Sequence, residues 1–76
     1  MSSPPPIPKA YVDTYRAAAR TYREARRGGG RQHEWHWAAV REVIQRHPEM
    51  THKEADAFAQ GIIRYVTLYY RDWLWK

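Results

Sequence analysis

The stretch that decides the fold spans residues 51–73, THKEADAFAQGIIRYVTLYYRDW. Thr51 and Glu54 match a capping box, in which each side chain bonds the other residue's backbone N–H at the start of a helix. Beyond them the apolar residues recur every three or four positions, so that they share one side of an α-helix. We therefore predict a helix over about residues 52–74. Its apolar face consists of Ala55, Phe58, Ala59, Ile62, Ile63, Val66, Tyr69, Tyr70 and Trp73.

Helix breakers divide the preceding sequence into two further helices. Three glycines at 28–30 end a first run of good helix formers, at about residues 9–27. His47-Pro48 ends a second run, at about residues 33–46, because the residue before a proline is pushed out of the helical region. No stretch alternates between apolar and polar residues as a strand does. The expected fold is an all-α three-helix bundle.

Length and composition limit the class of protein. The 76 residues are enough for one small domain, which we place at residues 9–76 after an extended, proline-rich leader at residues 1–8. The absence of cysteine excludes a disulfide framework and a thiolate metal site. The longest apolar runs are far shorter than the roughly 20 residues that cross a bilayer. Neither a secretory signal nor a cleavable mitochondrial presequence is evident in the leader.

The net charge of +5 is concentrated in the first third of the chain. Residues 9–31 carry seven basic and two acidic residues, whereas residues 32–76 carry six of each. On the first helix the arginines form one arc, about 150° from a stripe of tyrosines and alanines. Arginine suits bidentate recognition of carboxylates, and only Glu24 is near enough to pair within the helix. We predict that this arc docks an acidic partner, with an ordinary solvated helix face as the alternative. It consists of Arg16, Arg20, Arg23 and Arg27.

A second stripe of arginine and apolar residues lies opposite the apolar face of the third helix. An exposed tryptophan flanked by arginines has the composition of an interface hot spot. An exposed Trp75, the penultimate residue, is explained equally well by fraying of the end of the helix. The stripe is therefore a candidate second interface, and fraying is the alternative. It consists of Arg64, Leu68, Arg71 and Trp75.

Catalytic and metal-binding patterns are weak. His33 and His36 share a helix face, but zincin histidines are four residues apart, and His47 lies about 16 Å further along the helix. The only serines are in the leader, and the glycines at 28–30 follow a helix rather than a strand. We predict no metal site and no enzymatic activity. The chain is basic and rich in aromatic residues, which is also typical of nucleic-acid-binding proteins. Association with nucleic acid or with the ribosome is therefore the alternative function.

The first helix resembles the signature of the LYR-motif family, small three-helix adaptor proteins of mitochondria. That signature is a Leu-Tyr-Arg tripeptide near the start of helix 1, followed by two apolar residues and a further arginine. Tyr15, Arg16 and Arg20 match the aromatic and the two basic positions. Residues 35–41, WHWAAVR, resemble the family's second helix, and Gly61 resembles a small-residue position in its third.

The sequence departs from the family pattern at several positions. Thr14 stands in place of the signature leucine, and Ala18 and Ala19 replace two large apolar residues. Ile44 and Gln45 replace a phenylalanine and a basic residue in the second helix. The resemblance therefore depends on the co-linear pattern across the three helices.

The resemblance implies an adaptor that is a subunit or assembly factor of a mitochondrial complex, most typically of the respiratory chain, in the matrix or on the matrix face of the inner membrane. In the family, the basic face of helix 1 docks on acidic helices of mitochondrial acyl carrier protein. The acyl chain on the carrier's phosphopantetheine arm enters between the helices, and no other cofactor is implied. The implied partner-binding residues are Tyr15, Arg16, Arg20, Arg23, Arg27 and Arg41.

Two interpretations of the interior remain open. Small side chains at Ala18 and Ala19 could widen a tunnel for an acyl chain, since protein interiors otherwise pack without voids. Alternatively, large aromatic side chains fill the same volume and leave no tunnel. The residues that would line either a tunnel or a core are Ala18, Ala19, Tyr22, Trp37, Val40, Ile44, Phe58 and Ile62.

Overall fold

The computed structural model describes residues 3–75, so that Met1, Ser2 and Lys76 of the predicted leader and domain lie outside the described residues. The chain is 78% helical, and residues 3–75 contain no strand. This confirms the all-α class. The elements, in order, are a 3-10 turn (Lys9–Tyr11), α1 (Val12–Arg27), α2 (Gln32–Arg46), α3 (His52–Tyr69) and a short α4 (Arg71–Trp75).

The turn from α1 to α2 depends on Gly29, whose φ of 88° lies in the left-handed region that favours glycine. The backbone N–H groups of Gly28 and Gly29 donate to the carbonyls of Glu24 and Arg26, at 2.9 and 3.1 Å. These bonds satisfy carbonyls that the end of α1 leaves without helical partners. The short turn returns the chain so that α2 packs along α1.

The capping box predicted at the start of α3 is present. Thr51 Oγ1 accepts a hydrogen bond from the Glu54 backbone N–H at 3.1 Å, and Glu54 Oε1 accepts one from the Thr51 N–H at 2.8 Å. The bond from the Thr51 backbone lowers the pKa of the Glu54 carboxyl, because it favours the ionised form. Local sequence chemistry therefore accounts for where α3 begins.

The core lies where α1, α2 and α3 meet. Five of its eleven buried residues are alanines, which allow the helix backbones to approach closely but bury little apolar surface for each residue. The core residues are Ala18, Ala19, Tyr22, Ala39, Val40, Val43, Ala55, Ala59, Ile62, Val66 and Leu74.

The helix predicted to run to residue 74 is divided at Tyr70, which adopts φ −135° and ψ 37°. In a continuous helix Trp73, seven residues after Val66, would extend the apolar face. The structure instead buries Leu74 completely and leaves Trp73 40% exposed. The change of direction at Tyr70 brings α4 against α1, so that Leu74 joins the core. The contact of α4 with α1, which is distant in sequence, therefore determines which residue is buried here, and the helical period does not.

Candidate functional site

The basic surface of the protein is formed by Arg16, Arg20 and Arg27 on α1, which are all exposed. Arg16 and Arg20 are one helical turn apart, and neither forms an ion pair within the described residues 3–75. Arg41, on α2, is also exposed. The guanidinium groups of Arg16 and Arg20, on the second and third turns of α1, are therefore available to carboxylates of another molecule.

Arg16 and Arg20 also border a groove between α1, α3 and α4, which we call the aromatic groove. Its volume is about 410 Å³, within the range of pockets that hold small ligands. Most of its lining is apolar or aromatic, so that an apolar depression lies directly beside the two arginines. Besides these, the groove is lined by Ile7, Val12, Tyr15, Ala19, Tyr65, Val66, Tyr70 and Trp73.

Tyr65, which lines this groove, lies at the centre of a group of tyrosines. Its ring centroid is 5.5 Å from that of Tyr15, in an edge-on arrangement, and 5.1 and 6.1 Å from those of Tyr69 and Tyr70. Burial raises the pKa of the Tyr65 hydroxyl, and the nearby Tyr70 raises it further by a smaller amount. The neutral hydroxyl donates a hydrogen bond to the carbonyl oxygen of Pro5 at 2.8 Å. The leader is thereby attached to α3.

The C-terminal helix is held against α1 by two arginines. Arg26 Nη2 donates to the Leu74 carbonyl at 2.6 Å, and its guanidinium carbon lies 4.4 Å from the Trp75 ring centroid. Arg23 lies 4.9 Å from the centroid of Trp73. Arg23, which the sequence places in the partner-binding arc, is therefore half-buried and stacked on a tryptophan of its own chain.

The predicted second interface is split by the same packing. Arg64, Leu68 and Arg71 are exposed, and Leu68 is 66% exposed. Trp75 follows the break at Tyr70, lies against Arg26 on α1 and remains half-exposed. The tryptophan is thus part of the contact between α1 and α4 rather than of the line of residues along α3. Nothing in the local sequence pairs residue 75 with residue 26.

The residues predicted to line a tunnel or a core divide into three groups. Ile44 and Phe58 pack at the edge of the core, and Trp37 is exposed and stacked on His52, with ring centroids 6.1 Å apart. Of the eight, Ala19 is the one that lines the aromatic groove. The five buried in the core are Ala18, Ala19, Tyr22, Val40 and Ile62.

Thr14, at the position of the signature leucine, is 2% exposed and shares a 2.8 Å hydrogen bond with His47 Nε2. His47 Nδ1 donates to Glu49 Oε1 at 3.1 Å, because a carboxylate can only accept. The Thr14 hydroxyl, the His47 ring and the Glu49 carboxylate therefore form one continuous chain of hydrogen bonds. The order of hydroxyl, imidazole and carboxylate resembles that of a hydrolase triad, here with the hydroxyl-bearing residue buried. Helical spacing from Ala18 could have revealed this buried position.

Of the two histidines of α2, His36 forms a contact within the protein and His33 is exposed. His36 bonds Asp56 on α3, and this hydrogen bond lowers the pKa of the Asp56 carboxyl. His33 and His36 border a shallow depression that Tyr22 and Gln60 also line. No group of three or more histidine and acidic side chains within residues 3–75 is arranged to hold a metal ion.

Across the part of the chain that the structure describes, no helix has the length and hydrophobicity needed to span a membrane. Comparison of the chain with protein-family models, with curated proteins and with solved structures gives no significant match.

Proposed function

We propose that this chain is a non-enzymatic adaptor of the LYR type, which binds an acidic protein through the basic surface of α1 and attaches it to a larger mitochondrial complex. Mitochondrial acyl carrier protein is the partner that the resemblance to the family favours. The observation that carries the proposal is the exposure of Arg16 and Arg20, one helical turn apart, without ion pairs among residues 3–75 and beside an apolar groove.

The spacing of the two arginines suits an acidic helix. Carboxylates at i and i+4 on a partner helix repeat at the same distance as Arg16 and Arg20, so that each guanidinium can meet one carboxylate. Arginine forms such contacts at two nitrogens and is less strongly hydrated than lysine, which favours it at interfaces. Exposed charges of this kind also steer association, which then weakens with salt.

The aromatic groove provides a position for the acyl chain of a carrier's phosphopantetheine arm. Arg16 and Arg20, where the carrier would bind, line this groove together with aromatic side chains, which include Tyr15, Tyr70 and Trp73. The core around Ala18 and Ile62, by contrast, is fully buried and packed. We therefore place the acyl chain in the groove rather than between the three long helices.

Charge reversal tests the proposal. The Arg16→Glu, Arg20→Glu double variant should lose about a hundredfold or more in affinity for purified acyl carrier protein, because two attractive contacts become repulsive. The matched control is Arg64→Glu with Arg71→Glu, which makes the same change of charge on exposed positions of α3 and α4. The control should bind the carrier as the wild type does, and both variants should keep the helical circular-dichroism spectrum.

Binding that survives the double reversal, or that falls equally in the control, would contradict the proposal. Intact-mass analysis of the complex should also detect an acylated phosphopantetheine arm on the carrier. If an RNA or DNA duplex binds instead, with affinity that falls steeply and linearly on a logarithmic salt scale, the chain is the nucleic-acid-associated protein that its composition allows.

A further inference from the structure

The leader contacts the helical body at Pro5 and at Ile7. The hydroxyl of Tyr65 donates to the carbonyl of Pro5, and the side chain of Ile7 lines the aromatic groove. Pro4 and Ile7 are half-buried, whereas Pro5 and Pro6 between them are exposed. Burial thus returns after three residues.

This interval is that of a polyproline II helix. Polyproline II has three residues per turn and no internal hydrogen bonds, so that positions three apart share a face and every carbonyl is free to accept. Pro8, at the end of the leader, has φ −53° and ψ 134°, which lies close to this conformation. The Tyr65 hydroxyl takes up one of the free carbonyls, as aromatic side chains do in grooves that recognise proline-rich segments.

We propose that Tyr65 and the adjoining wall of the aromatic groove form a recognition site for proline-rich segments, and that the chain's own leader occupies this site in cis. The partner is a protein that carries a proline-rich segment followed by acidic residues. Its segment replaces the leader as the wall of the groove. This inference goes beyond the proposed adaptor function, because it requires no acyl carrier.

The acidic part of the partner segment follows from the charges at the groove. Arg16 and Arg20 border it without an ion pair among the described residues, and the leader continues into Lys9 with no acidic residue before Asp13. The leader therefore supplies prolines but no carboxylate. A partner segment that supplies both gains charge-assisted hydrogen bonds that the leader cannot make, and this offsets the high effective concentration of a tethered segment.

Fluorescence anisotropy with two labelled peptides and the full chain tests the proposal. The acidic peptide is Ser-Pro-Pro-Pro-Ile-Pro-Glu-Glu, and the basic one, Ser-Pro-Pro-Pro-Ile-Pro-Lys-Ala, reproduces the chain's own leader. We expect the acidic peptide to bind about tenfold more tightly than the basic one, because charged partners form the stronger hydrogen bonds. Replacing Pro4, Pro5 and Pro6 by alanine in the full chain should tighten binding further, because the cis competitor is weakened.

Two tyrosine variants identify the contact. In the chain with alanine at positions 4–6, Tyr65→Phe should weaken binding of the acidic peptide about fivefold, as expected for the loss of one hydrogen bond. This background is used because Tyr65→Phe also releases the cis leader, and in the wild-type chain the two effects offset each other. Tyr69→Phe is the matched control, since Tyr69 contacts the Tyr65 ring on the same helix but does not bond Pro5. Tyr65→Phe keeps Arg16 and Arg20. Acyl carrier binding by this variant therefore tests the proposed adaptor function separately from the site for proline-rich segments.

Three results would overturn the proposal. The first is equal affinity, or no affinity, for the two peptides. The second, in the chain with alanine at positions 4–6, is a Tyr65→Phe substitution that leaves binding of the acidic peptide unchanged, or weakens it no more than Tyr69→Phe does. The third is a leader variant, with alanine at positions 4–6, that binds the acidic peptide no more tightly than the wild-type chain does.

Discussion

Arg26 Nη2 donates a 2.6 Å hydrogen bond to the carbonyl of Leu74, and so joins the last turn of α1 to the C-terminal helix, 48 residues later. The same guanidinium stacks on the Trp75 ring, and the side chain of Leu74 is fully buried. A helix of five residues has no appreciable stability alone, because nucleation costs more than so few hydrogen bonds return. Its place in the fold therefore depends on these contacts.

Leu74→Ala should lower the free energy of unfolding by about 3 kcal/mol, because it removes a fully buried side chain and leaves a cavity. Leu68→Ala makes the same chemical change at a position that is 66% exposed, and it should cost less than about 0.5 kcal/mol. Urea unfolding followed by circular dichroism measures both. Equal effects of the two substitutions would mean that Leu74 does not belong to the core.

The contact between Arg26 and Trp75 should show measurable coupling. Arg26→Ala removes a hydrogen bond to a backbone carbonyl and a cation–π contact, with an expected loss of about 1–2 kcal/mol. Trp75→Ala should cost less in the Arg26→Ala background than in the wild type, by about 0.5–1 kcal/mol. A double-mutant cycle from urea unfolding measures this difference. Strictly additive losses would show that the two side chains do not interact.

The hydroxyl of Thr14 should contribute to stability through His47. Thr14→Val keeps the shape of the side chain but leaves His47 Nε2 without its partner in a half-buried site, and it should cost about 1–2 kcal/mol. Thr14→Ser keeps the hydroxyl and loses a methyl group, so that its cost should be smaller. Thermal unfolding of the three proteins at pH 8 provides the comparison. A valine variant at least as stable as the serine variant would contradict the role of this bond.

Sequence patterns account for the elements whose boundaries are local. The capping box of Thr51 and Glu54, the glycines at 28–30 and His47-Pro48 each act on the backbone within a few residues, and the structure places helix ends at all three. Helical spacing likewise identifies most of the core, because the predicted face of α3 is buried or half-buried as far as Val66. The last three residues of that face, Tyr69, Tyr70 and Trp73, are exposed.

The contacts that shape the candidate site lie far apart in sequence. Tyr65 and Pro5 are 60 residues apart, and Arg26 and Leu74 are 48 apart. Whether a given arginine faces solvent or covers a tryptophan depends on where α4 comes to lie. For this reason the periodicity of α1 identifies Arg16 and Arg20 as exposed but also assigns the half-buried Arg23 to the same arc.

Alkaline pH should destabilise the protein through Tyr22 and Tyr65. Burial raises the pKa of both side chains above the ordinary value of 10.0 that they regain on unfolding. At a pH between the pKa of these tyrosines in the unfolded chain and their higher pKa in the folded chain, the unfolded chain has released protons that the folded chain retains. The free energy of unfolding therefore falls as pH rises beyond about 10. Urea unfolding at pH 8, 10 and 11 should show this fall, and Tyr22→Phe together with Tyr65→Phe should reduce it. An unchanged slope in that double variant would assign the effect to other groups.

Alanine at two glycines should have effects of opposite sign. Gly61 is exposed within α3, and a Cβ there meets nothing within 4 Å, so that Gly61→Ala should stabilise the chain by about 0.5–1 kcal/mol through helix propensity. Gly29 has φ 88°, and Gly29→Ala should cost about 1 kcal/mol because an L side chain strains that conformation. Thermal unfolding of both variants tests the signs.

The Gly61→Ala variant also tests whether a partner protein contacts α3 at Gly61. Packing within the chain does not require glycine at this exposed position, and glycine lowers helix stability. Because the proposed carrier site is on α1, we expect Gly61→Ala to raise the melting temperature and to leave carrier binding unchanged, as Arg64→Glu should on the same helix. Weaker carrier binding by Gly61→Ala, in spite of the higher melting temperature, would show that the carrier also contacts α3, because the added methyl group would separate the two surfaces.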